Sequence, residues 1–181
     1  MSKDIYINRG FNHMQHDSGY SINLPYPEIK VESKNPAYAQ ILQDDYAGTV
    51  SELTAVTQYV YHNLVTDETK KEIADALLGI AIVEMNHLHL LGEAIIKLGG
   101  NPIYKGSKSN TGEFWNGAYV QYSTNIKNIL IDDINSEKAA ISNYRKHIEL
   151  IKDKNIQKLL KRIILDEELH VIIFTHYLEQ L

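Results

Sequence analysis

The sequence predicts an all-α protein, an antiparallel four-helix bundle of two helical hairpins joined by one long crossover. Three observations lead there. Only four prolines occur, and Pro25, Pro27 and Pro36 all fall in the first fifth of the chain, so long breaker-free stretches lie on either side of Pro102. Apolar residues recur through those stretches at three- and four-residue steps, the helical period. Gly, Ser and Asn gather instead between about residues 99 and 123, as an irregular connection requires.

Residues 1–34 precede the bundle and are expected to lie across its surface; the bundle itself is expected over 35–181. The first helix begins at Asn35-Pro36, an N-cap followed by proline at the first helical position. Leu42, Tyr46, Thr49, Val50, Leu53, Val56, Tyr59 and Val60 continue its period. A break follows at Val65-Thr66-Asp67-Glu68, where Thr66 can cap a second helix and the two acids suit its positive end. That helix runs through Ile73, Leu77, Ile80, Leu88, Leu91 and Ile95 to a stop at Gly99-Gly100-Asn101-Pro102. The crossover over 99–123, with Phe114 and Trp115, leads to a third helix from Ser123-Thr124 to about Lys152. Asp153 opens the fourth, which ends close to Leu181.

Composition narrows the chemistry. A chain of 181 residues, 44% hydrophobic and 23% charged, is long enough for one cored domain and excludes wholesale disorder. Lys+Arg 18 against Asp+Glu 23 leaves no basic stripe, which argues against a nucleic-acid partner. Cysteine is absent, so disulfides, thiolate nucleophiles and cysteine-bound zinc or iron–sulfur clusters are excluded, and any metal must sit on Glu, Asp and His. The segment MSKDIYINRG lacks a signal-like apolar core, and a bilayer span needs roughly 20 apolar residues. The expectation is a cytoplasmic protein with no membrane association.

Each predicted helix puts one carboxylate on its apolar side. Glu52 shares a face with Ala55, Val56 and Tyr59, and Glu137 with Ile134, Ala140, Ile141 and Tyr144. The second and fourth helices each carry Glu-x-x-His, as Glu84/His87 and Glu167/His170, placing an imidazole one turn along the same face. Glu52 stands about 14 residues before the first turn and Glu84 about 16 after it, which at ~1.5 Å per residue sets them at one height. Glu137 and Glu167 stand likewise about the turn near Asp153, so all four glutamates can meet in one layer. Four buried carboxylates without compensation would cost several kcal/mol each. Two divalent cations cancel their charge, and oxygen with imidazole nitrogen suits iron or manganese. One Glu on each of two helices with Glu-x-x-His on the other two is the ligand pattern described for di-iron and di-manganese bundles.

The two hairpins repeat one another. Tyr59 and Tyr144 each follow their glutamate by seven residues, and His62 and His147 by ten. Each tyrosine either bonds a ligand or packs in the core. His62 and His147 lie near helix C-terminal ends, where partial negative charge favours an imidazolium. His89 faces away from the cluster, and His13 and His16 read as surface residues. Glu168 has Val171 rather than a histidine three residues on, so Glu167 is the better ligand.

These residues resemble the ferritin-like di-metal carboxylate superfamily over about Asn35 to Leu181. Locally the chain looks like rubrerythrin-related proteins and, around Asn35-Pro36-Ala37-Tyr38-Ala39 and Ser51-Glu52-Leu53-Thr54-Ala55, like manganese catalases. The resemblance implies a ferritin-like bundle holding two iron or two manganese ions on Glu52, Glu84, His87, Glu137, Glu167 and His170. Glu84 and Glu167 would bridge them in the rubrerythrin or bacterioferritin manner, whereas manganese catalases distribute the bridging differently. The chain departs from rubrerythrins at Ile134, where they carry a further glutamate, and in lacking a cysteine-bound rubredoxin iron. It departs from some manganese catalases at Ser136, where they carry an arginine. Met85 occupies the haem-binding methionine position of bacterioferritins, but the N-terminal segment and crossover do not match theirs.

The function expected is a di-metal oxidoreductase acting on hydrogen peroxide or dioxygen, as a rubrerythrin-like peroxidase served by an external electron-donor protein or as a manganese-type catalase. It would be a homo-oligomer, dimeric or larger. The alternatives are iron oxidation and storage in a cage, and a structural or coat protein whose site has lost its chemistry.

Overall fold

The structure is a computed structural model and describes residues 19–66, 70–106 and 114–181. Its helices are α1 (Pro36–Ala47), α2 (Glu52–Val65), α3 (Lys71–Lys97), α4 (Ile126–Leu150) and α5 (Lys154–Glu179), with a 3-10 turn at Gly117–Tyr119. No strand forms among the described residues. α2 packs along α3 and α4 along α5, so the two hairpins and their connection are those the periodicity predicts.

Helix ends follow local chemistry. Asn35 caps α1 by accepting from the Tyr38 N–H, with Pro36 at the first position. Asp153 caps α5 through the Asn155 and Ile156 N–H groups. α3 ends where Gly99 takes a φ of +89°, a left-handed value that a side chain would resist. α4 starts slightly later than expected, capped by Asn125. Thr66 is the C-cap of α2 instead of the N-cap of the next helix, its hydroxyl donating to the His62 carbonyl. Asp67 and Glu68 lie outside the described residues, as do His13 and His16.

The first predicted helix is in fact two. Chain direction breaks between Gly48, in extended conformation at the end of α1, and Ser51, which caps α2. Ser51 Oγ accepts from the Thr54 N–H and donates to the Gly48 carbonyl at 2.8 Å. Glu52 is consequently the first residue of α2. Its neighbours keep the helical period across the break, which is why periodicity alone joins the two segments.

The core is divided. Leu42, Leu91, Ile95, Leu98, Ile141, Leu159 and Ile163 belong to one apolar cluster, and Leu77, Ile80, Ile129, Leu130, Ile134 and Phe174 to another. Along α3, α4 and α5 the changeover falls at Glu84/His87, at Glu137 and at Glu167/His170. A buried polar layer therefore lies between two apolar ones. α3 is long and apolar enough, by composition alone, to cross a bilayer, yet here it lines both clusters and buries Glu84 and His87. Residues 19–34 run over α3 and α5, tied down at Asp166, Arg162 and Asp153.

Candidate metal centre

All six side chains singled out as ligands meet in the polar layer, each at most 3% exposed. They form two groups, Glu52–Glu84–His87–Glu167 and Glu84–Glu137–Glu167–His170, whose ligand atoms lie within 4.8 Å of one another. Glu84 and Glu167 are common to both groups; Glu52 and Glu137 each belong to one. His87 Nδ1 lies 3.0 Å from Glu84, 3.2 Å from Glu167 and 3.6 Å from Glu52. His170 Nδ1 lies 2.8 Å from Glu84, 3.2 Å from Glu167 and 3.4 Å from Glu137. The helical register explains this, since a three-residue step stacks glutamate and histidine on one face of α3 and of α5.

The outer imidazole nitrogens are held from behind. His170 Nε2 is 2.8 Å from the Tyr20 carbonyl, which can only accept, so this nitrogen carries a hydrogen while Nδ1 faces the glutamates. His87 Nε2 faces Asp166 Oδ2 at 3.1 Å and the Tyr26 hydroxyl at 3.0 Å, and Tyr26 donates to the same Asp166 oxygen. Holding the remote nitrogen by a carboxylate or carbonyl is how proteins orient imidazole ligands.

Both tyrosines bond a glutamate of the cluster, and they do so across the bundle. Tyr59 on α2 donates to Glu137 Oε1 at 2.7 Å, and Tyr144 on α4 donates to Glu52 Oε1. Burial, with the adjoining carboxylates, pushes both phenols well above their ordinary pKa, so each stays a protonated donor. His62 and His147 do more than sit near helix ends. His62 pairs with Asp133 at 2.8 Å with both side chains fully buried, and His147 pairs with Asp45 at 2.7 Å. His89 does point outward, toward Glu93, and Glu168 is engaged by Arg145 at 2.8 Å.

Without metal the cluster is electrostatically frustrated. Burial and the charges of Glu84 and Glu167 push the Glu52 and Glu137 carboxyls well up. Burial would also raise Glu84, but His170 and His87 outweigh it and hold that carboxyl well below its usual range. For both histidines burial opposes protonation, and the surrounding anionic groups overcome it. Glu84 Oε1 and Glu167 Oε1 are buried and receive no well-aligned hydrogen bond, their nearest polar neighbours being His170 Nδ1 at 2.8 Å and His87 Nδ1 at 3.2 Å. Two poorly satisfied oxygens on the two shared carboxylates, beside inward-facing imidazole nitrogens, are a donor set that two divalent cations would satisfy. The residues fit a dinuclear metal.

A cavity of about 130 Å³ reaches this layer between α2 and α4. Glu52, Glu84, Glu137 and Glu167 form its floor side, and Thr49, Val50 and Ser51 of the helix break line it together with Tyr119 and Gln121 of the crossover. Trp115 Nε1 donates to Thr54 Oγ1 at 2.9 Å, and the Gln121 N–H donates to Gln58 Oε1, fastening the crossover beside it. Asp45, Asp133, Asp166 and Tyr26 are the neighbours that sequence reasoning missed. For the three aspartates a signal existed, because each lies among the apolar positions of its helix. For Tyr26, in a segment without periodicity, there was none.

Fold and cluster together define a class: the chain belongs to the ferritin-like domain family, which matches residues 49–181. Among its relatives, a probable manganese catalase from Clostridium acetobutylicum is 27% identical over 172 residues, covering 84% of this chain and 75% of that protein. The crystal structure of a manganese catalase from Anabaena superposes with a TM-score of 0.79 at 24% identity, over 87% of this chain and 78% of that one. A bacterioferritin from Rhodobacter capsulatus gives a TM-score of 0.69 at 20% identity, over 82% and 87%. At such identities the two structures show the shared fold.

Proposed function

We propose that this chain is a di-metal oxidoreductase that consumes hydrogen peroxide, in the manner of a manganese catalase. The observation that supports it best is the pairing of a complete two-metal donor set with a small cavity that opens onto that set. At about 130 Å³ the cavity has room for molecules the size of peroxide or dioxygen. The relative named as a probable manganese catalase points to manganese and dismutation. Glu52, Glu84, His87, Glu137, Glu167 and His170 are the ligands in this reading. The metals, once bound, supply and take back the two electrons that O–O cleavage requires.

The chain's own residues prepare the site. Tyr59 and Tyr144 fix the rotamers of Glu137 and Glu52 through hydroxyl donors, leaving the second oxygen of each for a metal. Tyr20 and Asp166 fix the imidazoles. Thr49, Val50 and Tyr119 line the cavity, and Thr54, Gln58 and Ser136 add neutral polar groups to that lining. An exposed apolar row on α3, Leu78, Ile82 and Met85, supports assembly into a homo-oligomer.

The fold shared with bacterioferritins supports a second reading, iron oxidation and storage. Metal analysis of natively purified protein, with dioxygen release from peroxide, separates the readings. About two manganese ions per chain with dioxygen release is the expected result. Two irons, with peroxide lost only when a reductant is present, would indicate a peroxidase with an external electron donor. Iron far above two per chain would indicate storage. No metal even after reconstitution would overturn the ligand assignment.

A further inference from the structure

We propose that the segment Tyr20–Tyr26 is a working part of the metal centre: it seats the outer nitrogens of both ligand histidines, so docking of this strap and loading of the metals are coupled. The inference rests on the two-metal reading above and goes beyond it, because no residue of the strap is a ligand.

Two separate attachments make the case. At one end the Tyr20 carbonyl takes the hydrogen of His170 Nε2. At the other, Tyr26 enters between His87 and Asp166, bonding both, while its ring stands edge-on to His87 and lies 4.2 Å beneath the Arg162 guanidinium. Between these ends the backbone is held by a buried ion pair on α5. Asp166 Oδ1 accepts from the Ile22 N–H at 2.7 Å and from Ser21 Oγ, and Arg162 donates to the Ile22 and Leu24 carbonyls. Asp166 therefore bonds His87 and Tyr26 with one oxygen and Ser21 and Ile22 with the other.

α3 is shaped to receive this segment. A Cβ placed on Gly79 would fall 2.2 Å from the Tyr20 ring, so the ring occupies the space that any other residue there would fill. Helix interiors disfavour glycine relative to alanine, and Gly79 here makes room for the Tyr20 ring. If the seated strap orients the imidazoles for metal, linkage requires that bound metal tighten the strap by the same factor.

The coupling is tested in the full chain by stripping metal and titrating manganese(II) into wild type, Tyr26→Phe and Gly79→Ala, with amide exchange of residues 19–26 followed in both states. Tyr26→Phe keeps the ring and removes the hydroxyl; Gly79→Ala displaces Tyr20. Losing an outer partner of a metal-bound histidine costs about 10–100-fold in affinity. We expect one of the two binding events to weaken by that factor in each variant, a different one in each, and strap exchange to slow on metal addition. Unchanged isotherms with metal-independent exchange would overturn the coupling. So would an equal weakening of both events accompanied by a matching drop in metal-free melting temperature. Wild type that binds no manganese or iron would instead bring down the two-metal reading, and this inference with it.

Discussion

In the second hairpin α4 runs unbroken past Glu137, whereas in the first the matching stretch is split and Glu52 opens a fresh helix. Apart from this the halves correspond: a glutamate, a tyrosine seven residues on that bonds the other half's glutamate, and a histidine ten residues on that pairs with an aspartate. The break changes two things. It sets Glu52 at a helix N-terminus, where the macrodipole favours a carboxylate. It also replaces helix wall with Thr49, Val50 and Ser51, which line the cavity to the site. The histidine pairs differ in kind too, since His62–Asp133 is sealed while the His147 side chain is 15% exposed. The cavity thus lies on the side of the break in an otherwise near-symmetric set of candidate ligands.

The comparison breaks most completely at the carboxylates themselves. Glu84→Ala removes a residue common to both ligand groups and should abolish binding of both metals, together with all peroxide consumption. Glu52→Ala touches one group and should leave about one metal per chain. Elemental analysis distinguishes the two, and equal losses would refute the sharing.

Removing the aspartates probes the next level. Asp133→Ala leaves His62 without its acceptor in a sealed interior and the Gln58 amide with Ser136 alone, at a cost of about 3 kcal/mol. Asp45→Ala leaves a histidine that water can reach and should cost about 1 kcal/mol. At roughly 2–4 °C per kcal/mol for a chain of this size, thermal melts resolve the difference.

Acidity sharpens the same contrast. Burial pushes the Asp45 carboxyl up from 3.8 to about 6, against the opposing pull of His147. The folded protein therefore holds a proton that the unfolded chain has released between those pH values. That stabilisation is complete below 3.8 and is lost as pH rises through 6, a change of about 3 kcal/mol. Urea unfolding of metal-stripped protein should show wild type falling relative to Asp45→Asn by that amount between pH 4 and 7. A parallel dependence in the two proteins would refute it.

The smallest effect belongs to the caps. Ser51→Ala and Asn125→Ala should each lower stability by about 1 kcal/mol, as loss of an N-cap acceptor does. Only the first should also alter peroxide turnover, because Ser51 lines the cavity and Asn125 does not.

The helical period, the capping residues at Asn35 and Asp153 and the glycine at 99 specified four bundle positions by local chemistry alone. The six-residue cluster was readable for a related reason. A three-residue Glu–His step is itself a statement about one helix face, and four buried acids at one height have few electrostatic solutions. The break at Gly48–Ser51 escaped that reading because apolar spacing continues in phase across it. Tertiary structure decided the rest: which tyrosine bonds which glutamate, which aspartates back the histidines, and where the cavity opens. Those are contacts between residues from 61 to 150 positions apart, set by how helices and strap pack and by no rule of local spacing.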